Sequence, residues 1–190
     1  MSIPPADPEN PTHSGYPKYS VFVSYSSKDN ATGWVKQLVE ALRKEARQVL
    51  DDGFEACDPV ELFFDRDNLR LREEWRTQLA WAVRDSEVLL VCVSNSYFES
   101  DPCLWEFQEH ASKPRGPDNQ VGLVPVLLEE TRDDQPDEEH QRWHTRVYQM
   151  HCHNMQDVFT RDAITTLTGM EAKIRALGDE LYRQKRERRR

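Results

Sequence analysis

The chain is 190 residues long, with 37% hydrophobic and 31% charged residues, which suffices for one core of ordinary size with additional tails. Its formal net charge is −9, and an acidic protein of this kind does not attract the phosphates of nucleic acid. The mean hydropathy is −0.82, and no stretch approaches the roughly 20 consecutive apolar residues of a membrane-crossing helix, so we expect neither nucleic acid nor a membrane as a partner.

The amino terminus is predicted to be a proline-rich disordered leader over residues 1–17. Five of the eleven prolines fall in this segment, which has no apolar run and therefore lacks the hydrophobic part of a secretory signal. The four cysteines, Cys57, Cys92, Cys103 and Cys152, are widely spaced and form no CxxC pair. Together these features predict a protein of the reducing cytoplasm.

Strands and helices are predicted to alternate from residue 18 onward. The first strand is aromatic and β-branched, and the loop after it leads into apolar residues at helical spacing. The predicted strands are 18–25, 60–64, 88–93 and 121–128, and the predicted helices follow Asn30, cover 73–85 and 97–111, and run from about Thr160 almost to the end. Pro125 lies inside the fourth strand, which predicts an edge position or a bulge.

The run Val88–Val93 is apolar without alternation, which is typical of a strand covered on both faces. A repeated order of strand and helix around such a strand predicts an α/β fold with a central parallel sheet. Functional residues of such sheets lie at the carboxyl ends of the strands. The loops there are 24–30, 65–72, 94–102 and 129–139, and the last of these is acidic enough that we expect it to be solvated and mobile.

Motif residues occur in four blocks along these predicted elements. The blocks are Tyr19–Tyr25, Phe64–Trp75, Ser94–Tyr97 and Ser100–Glu106. In this order and spacing they resemble a Toll/interleukin-1 receptor (TIR) domain of bacterial type, from about Lys18 to Leu128 and more weakly to about Leu177. The resemblance implies a flavodoxin-like three-layer sandwich over residues 18–178, followed by a basic helical tail or linker at 179–190.

The resemblance implies one of two activities. Many TIR domains, notably bacterial and plant ones, cleave the nicotinamide–ribose bond of NAD+, whereas animal adaptor TIR domains mainly self-associate to transmit a signal. The first predicts an NAD+ glycohydrolase that needs no cofactor and yields nicotinamide together with ADP-ribose or cyclic ADP-ribose. Such an enzyme is expected to be activated by self-association and to act in bacterial immune signalling and antiviral defence. The second predicts a non-catalytic scaffold. Either activity is compatible with a fused or separate sensor module, and base exchange would use the same ribose chemistry.

Glu106 matches the catalytic glutamate of the family. Nicotinamide leaves NAD+ as a neutral molecule from a cationic pyridinium, so one carboxylate suffices to stabilise the oxocarbenium charge that develops on the ribose. On a helix, Cys103 and Glu106 share a face, with Tyr97 or Phe98 a turn or more back. The alternative is that Glu106 is one more acid on a helix surface.

The same correspondence assigns four residues to substrate binding. Tyr25, Ser26 and Ser27 fall in the loop after the first strand that helps line the nucleotide site in the family. Phe63 matches an aromatic residue that can stack on a flat ring. The residues alone leave other roles open, because serines in that loop can cap the following helix and Phe63 can belong to the core.

Arg66 is a further substrate-binding candidate, in a cluster with Arg70, Arg72 and Arg76 within an otherwise acidic body. Guanidinium groups suit a diphosphate, and in the family the same loop also contacts neighbouring TIR domains. Acids alternate with these arginines, so a surface that neutralises itself is a third possibility.

Three positions depart from the family pattern. Leu71 and Arg72 stand where Pro-Gly usually precedes the acidic pair, and arginine lacks the freedom of glycine at positive φ. Pro102 replaces the tryptophan of the usual Ser-x-Trp-Cys-x-x-Glu pattern, which in enzymatic relatives helps complete the site across a subunit contact. Trp105 stands beside Glu106 but lies roughly 100° away around a helix axis.

No metal site is expected. His140 and His144 are four residues apart on a predicted helix, a spacing that can bind zinc, but His151-Cys152-His153 lacks the usual ligand spacing. The chain also has no glycine-rich phosphate loop and no G-x-S-x-G nucleophile turn, which excludes the NTPase, kinase and esterase classes.

Overall fold

The computed structural model describes residues 20–51, 61–64, 75–112, 122–134, 137–159 and 170–188. The strands are Val21–Ser24 (β1), Leu62–Phe63 (β2), Val88–Val93 (β3), Leu123–Leu127 (β4) and His153–Asn154 (β5). The helices are Trp34–Asp51 (α1), Trp75–Asp85 (α2), Asn95–Phe98 (α3), Asp101–Ala111 (α4), Glu138–Tyr148 (α5) and Glu171–Arg188 (α6), and a 3-10 turn covers Ser27–Asn30.

These strands form one sheet in the order β2-β1-β3-β4-β5, and every neighbouring pair is parallel. The central strand, β3, is fully buried along Val88–Val93, as expected for an apolar run without alternation. This strand order is that of flavodoxin-like proteins. The predicted α/β fold with a central parallel sheet is therefore confirmed.

Side chains of β1 alternate between two hydrophobic cores, one on each face of the sheet. Val21 and Val23 pack with the apolar residues of α1 and α6, whereas Phe22 packs with those of α2, α3, α4 and α5. Ser24 follows Phe22 by two positions and therefore faces the same side. Helices cover both faces of the sheet, as the predicted three-layer sandwich requires.

The chain leaves β1 and β3 toward opposite faces of the sheet. β1 leads through the 3-10 turn into α1 on one face, and β3 leads into α3 and α4 on the other. The two strands are neighbours, paired from Val21 with Val88 to Ser24 with Val91, so their carboxyl ends meet where the helix direction reverses. In open α/β sheets this reversal is the usual place for ligands.

Pro125 lies in a regular internal strand, so the predicted edge position or bulge is wrong. β4 pairs with β3 in unbroken register and has β5 on its other side. Leu128 N donates to Val93 O, so even-numbered residues of β4 turn their backbone groups toward β3. Pro125 therefore turns its nitrogen toward β5, whose pairing begins only opposite Val126, and its missing N–H removes no ladder hydrogen bond there.

The single helix predicted over 97–111 is two helices in the structure. Ser94 caps α3, since its Oγ accepts a hydrogen bond from Tyr97 N at 2.9 Å. Pro102 lies in the first turn of α4, where a proline ring is tolerated. In a continuous helix this ring would collide with the carbonyl group of Phe98, and α3 ends at Phe98.

The last helix, α6, packs against α1 beyond the predicted domain boundary at residue 178. Leu181 belongs to the core between these helices and the sheet, and Lys185 is still buried. Tyr182 Oη donates to Ala46 O at 3.0 Å. The helix is therefore continuous across the predicted boundary and remains packed on the domain as far as Lys185.

Several predicted segments lie outside the described residues. These are the leader at 1–17, the loop at 65–72 and the start of the final helix at 160–169. None of the helices in the described part of the chain combines the length and the apolar character that crossing a bilayer requires.

Candidate active site

Glu106 lies on the buried side of α4, toward the sheet. It shares this side with Cys103, Phe107 and His110, at steps of three and four residues, as the helical spacing of Cys103 and Glu106 predicts. The Glu106 side chain is 0% exposed. It is therefore not an acid on the solvent-exposed surface of its helix.

The carboxylate of Glu106 is held at the carboxyl end of β1. Ser24 Oγ, on the last residue of β1, donates a hydrogen bond of 2.6 Å to Glu106 Oε2. Tyr97 Oη lies 3.3 Å from the same Ser24 Oγ. All three side chains are fully buried, and because a buried carboxylate is costly without hydrogen bonds, this contact helps to determine how α4 docks on the sheet.

Two further hydrogen bonds fix α4 along the sheet. Cys103 Sγ, near the start of the helix, donates to Tyr25 O at 3.3 Å. His110 Nε2, near its end, lies 3.0 Å from the backbone oxygen of Gly122, which directly precedes β4. With both ends attached, α4 directs Glu106 to the reversal between β1 and β3.

A second buried carboxylate, Asp29, lies at the same reversal. Asp29 belongs to the 3-10 turn after β1, and its Oδ2 accepts a hydrogen bond from Ser94 Oγ. Ser94 directly follows β3 and also accepts the hydrogen bond from Tyr97 N that caps α3. The turn after β1 and the start of α3 are thereby joined.

The predicted substrate-binding residues of the first loop differ in their surroundings. Tyr25 and Ser26 are buried, and Ser27 is exposed. The Tyr25 ring stacks on Phe64, with centroids 5.2 Å apart, on the α1 side of the sheet and therefore away from Glu106. Ser26 precedes the 3-10 turn, but its side chain makes no capping hydrogen bond to the described residues, so the alternative role of a helix cap does not describe it.

Phe63 is buried and stacks on Phe22, with centroids 5.2 Å apart and an interplanar angle of 15°. Its ring belongs to the core between the sheet and the helices α2 and α4, which is the packing of the core-residue alternative. Arg66, together with Arg70 and Arg72, lies outside the described residues. The structure thus brings Glu106, but not the ring of Phe63, to the end of β1.

The acidic loop after β4 is attached to α3 and α5 over residues 129–132. Asn95 N donates to Glu129 Oε1 at 2.8 Å, and Asn95 Oδ1 accepts from Arg132 N at 2.9 Å. Thr131 Oγ1 lies 2.8 Å from His144 Nε2 on α5. These contacts hold this part of the loop in place, in contrast to the expectation of a mobile loop.

The histidines of α5 have protein partners. His140 Nδ1 lies 2.8 Å from Asp137 Oδ1. Burial lowers the pKa of His144 below its ordinary value, and the nearby Asp133 carboxylate partly offsets this effect. Burial likewise lowers the pKa of His153 in β5. In the described ranges no three His, Cys, Asp or Glu side chains are grouped to hold a metal ion, and the expectation of no metal site stays a prediction.

Sequence reasoning missed Ser24 and Tyr97 as partners of Glu106. The sequence does indicate the orientation of Ser24, because strand alternation puts it on the same face of the sheet as Phe22, which is the face that α4 covers. The role of Tyr97 depends on the break between α3 and α4, which the predicted single helix did not contain. Asp29, in the first loop, is also buried and accepts a hydrogen bond from Ser94.

The comparisons with known proteins place this geometry in a family. Residues 21–164 match the family model described as TIR domain, and no curated protein is matched. Among solved structures, the TIR domains of the activated Roq1 resistosome directly recognizing the pathogen effector XopQ are similar, with 18% identity, a TM-score of 0.40, and coverage of 88% of this chain and 84% of that chain. Because the family model spans most of its length, the chain belongs to the TIR domain family.

Proposed function

We propose that this TIR domain is an NAD+ glycohydrolase in which Glu106 stabilises the ribose cation. The observation that carries the proposal is the hydrogen bond between Ser24 Oγ and Glu106 Oε2, which holds the family's acidic residue at the carboxyl end of β1. This is also where the helix direction reverses between β1 and β3, the usual ligand position of such sheets. The acid therefore lies beneath the edge of the sheet at which a substrate is expected.

The proposed reaction breaks the bond between the ribose carbon and the pyridinium nitrogen of NAD+. Nicotinamide leaves with the bonding electron pair and becomes neutral, so no acid has to protonate it. The Glu106 carboxylate stabilises the oxocarbenium ion that remains on the ribose. Water then adds to this carbon and releases a proton, giving ADP-ribose, or an adenine nitrogen adds to it and gives cyclic ADP-ribose.

Self-association is part of the proposal because Glu106 is fully buried in the single chain. A carboxylate with no exposed surface cannot meet a ribose until a neighbouring segment moves. Contacts between copies would open and complete the site, so the isolated chain has low activity. This regulation fits a domain that responds to a sensor module in bacterial immune signalling, where NAD+ loss follows assembly.

The test is nicotinamide release from NAD+ by dilute and by concentrated protein, with Glu106→Gln as the variant. Glu109→Gln is the matched control, since Glu109 lies one turn along the same helix and bonds to Arg84 on α2 instead. We expect release that rises more than in proportion to concentration, is abolished by Glu106→Gln and is retained by Glu109→Gln. Equal release from Glu106→Gln and wild type contradicts the proposed role of Glu106.

A second candidate function, a non-catalytic TIR scaffold, is favoured by two observations. Glu106 is fully buried, and Pro102 occupies an exposed position where enzymatic relatives carry the tryptophan that helps complete the site. The scaffold predicts no nicotinamide release at any concentration, together with measurable association between copies or with another TIR domain. Sedimentation of the same samples that are assayed with NAD+ distinguishes the two functions.

A further inference from the structure

Tyr97 is connected to Glu106 through a buried hydroxyl group. Its Oη lies 3.3 Å from Ser24 Oγ, and Ser24 Oγ lies 2.6 Å from Glu106 Oε2. The three residues come from three different elements, α3, β1 and α4, and none of them is exposed. This series of oxygen atoms therefore joins α3, β1 and α4 at the carboxyl end of β1.

The hydroxyl hydrogens determine which atom donates and which accepts in each of these two hydrogen bonds. Ser24 has a single hydroxyl hydrogen, and the shorter bond uses that hydrogen toward Glu106 Oε2. One hydrogen cannot serve both contacts, so across the 3.3 Å contact the phenol of Tyr97 has to donate and the oxygen of Ser24 has to accept. Tyr97 thus fixes the rotation of the Ser24 hydroxyl, which in turn fixes the carboxylate of Glu106.

The position of Tyr97 itself is determined by contacts at both ends of the residue. Its backbone N–H donates to Ser94 Oγ at 2.9 Å, and Ser94 Oγ in turn donates to the buried carboxylate of Asp29. Its ring packs on Trp143 of α5, with centroids 4.8 Å apart. Removing only the hydroxyl group leaves these contacts intact, so the Tyr97→Phe variant removes the group that faces Ser24 without removing the ring or the backbone contact.

We infer that Tyr97 is a positioning residue for Glu106 and acts through Ser24. The effect on catalysis rests on the proposed NAD+ glycohydrolase function. A group that aims the carboxylate, without touching the substrate, affects the chemical step more than substrate binding. Loss of its hydrogen bond therefore lowers kcat and leaves KM almost unchanged.

The test is a double-mutant cycle on nicotinamide release with Tyr97→Phe and Ser24→Ala. We expect each single variant to lower kcat about tenfold, with KM within about twofold of wild type. Because the two groups act in series, the double variant should be no slower than the slower single variant. Ser24→Thr, which retains the hydroxyl group, should restore most of the activity. The controls are Tyr182→Phe on α6 and Ser86→Ala just before β3, which remove hydroxyl groups bonded to Ala46 O and Ala82 O.

Two results overturn the inference in an active protein: Tyr97→Phe with wild-type kcat, or losses that multiply in the double variant. If wild-type protein releases no nicotinamide at any concentration, the proposed function fails separately. The cycle is then measured by urea unfolding with Tyr97→Phe and Glu106→Gln. Non-additive losses there support the connection, and additive losses overturn it. If Ser24→Ala does not fold, kcat and the free energy of unfolding are both still measured for Tyr97→Phe.

Discussion

Asp29 and Ser94 join the turn after β1 to the end of β3 by one buried hydrogen bond, from Ser94 Oγ to Asp29 Oδ2 at 2.5 Å. They are 65 positions apart in sequence, and neither is exposed. Ser94 also receives the Tyr97 N–H, so its single hydroxyl group both caps α3 and contacts the carboxylate. The bond thus connects two elements that flank the reversal of the sheet.

Ser94→Ala is expected to lower the free energy of unfolding by about 2 kcal/mol, since it removes a helix cap and a donor to a buried carboxylate. Urea unfolding measures this loss. Ser112→Ala is the control, because the Ser112 hydroxyl bonds to Glu109 O at an exposed helix end and its loss should change stability by less than about 0.5 kcal/mol. Equal small losses from both variants would show that the Asp29 contact contributes nothing.

Gly178 is a site where a larger residue should stabilise the fold. It lies inside α6, where glycine is less favourable than alanine, and among the described residues an added Cβ would meet Glu45 Cγ of α1, at 3.4 Å. This is ordinary contact with a flexible side chain. We expect Gly178→Ala to raise the free energy of unfolding by about 0.5–1 kcal/mol.

The matched control is Ala176→Gly, two residues earlier and exposed on the same helix, which should lower stability by about 1 kcal/mol. Chemical unfolding of both variants checks the pair. A destabilised Gly178→Ala would mean that α6 packs more tightly on α1 than the distance to Glu45 indicates.

Burial of His144 should make stability depend on pH. Its pKa is lowered in the folded protein below the ordinary 6.5, mainly by burial, so the folded state binds fewer protons between these two values. The free energy of unfolding therefore rises with pH across this window, and the contribution is complete above about 6.5 and is lost as the pH falls through the window. His153 acts in the same direction.

His144→Gln should therefore reduce, but not abolish, the slope of stability against pH below about 6.5. Urea unfolding at several pH values measures this slope. Thr145→Ala, at an exposed position on the same helix, removes no titratable group; it is the control and should leave the slope unchanged. A wild-type slope in His144→Gln would assign the dependence to other groups.

Local patterns predicted the sheet well because they report on burial. The unbroken apolar run Val88–Val93 is typical of a strand covered on both faces, and it is the centre of the sheet. The spacing of Cys103 and Glu106 put them on one helix face, which is the buried face. The edge position or bulge predicted from Pro125 was wrong. An internal strand accepts this proline because the neighbouring strand β5 starts to pair only opposite Val126, and the sequence pattern does not show where that pairing starts.

The contacts at the site depend on tertiary docking and so could not be obtained from periodicity. Phe63 matches an aromatic motif position, yet its ring is used in the core against Phe22. The bond from Ser24 to Glu106 exists only because α4 starts anew at Asp101 and lies across the end of β1. Sequence indicated the acid but not the hydroxyl groups that hold it.

Pro102→Trp tests whether assembly completes the proposed site. Pro102 is exposed in the first turn of α4, so a tryptophan fits there, and losing the preorganised ring should cost at most about 1 kcal/mol in unfolding free energy. If a neighbouring copy uses this position, concentrated protein should cleave NAD+ about tenfold faster, whereas dilute protein should not change. Nicotinamide release at both concentrations measures this, with Asp101→Trp as the control that adds the same ring one residue away. Identical rates for Pro102→Trp and wild type when concentrated would mean that position 102 takes no part in the site.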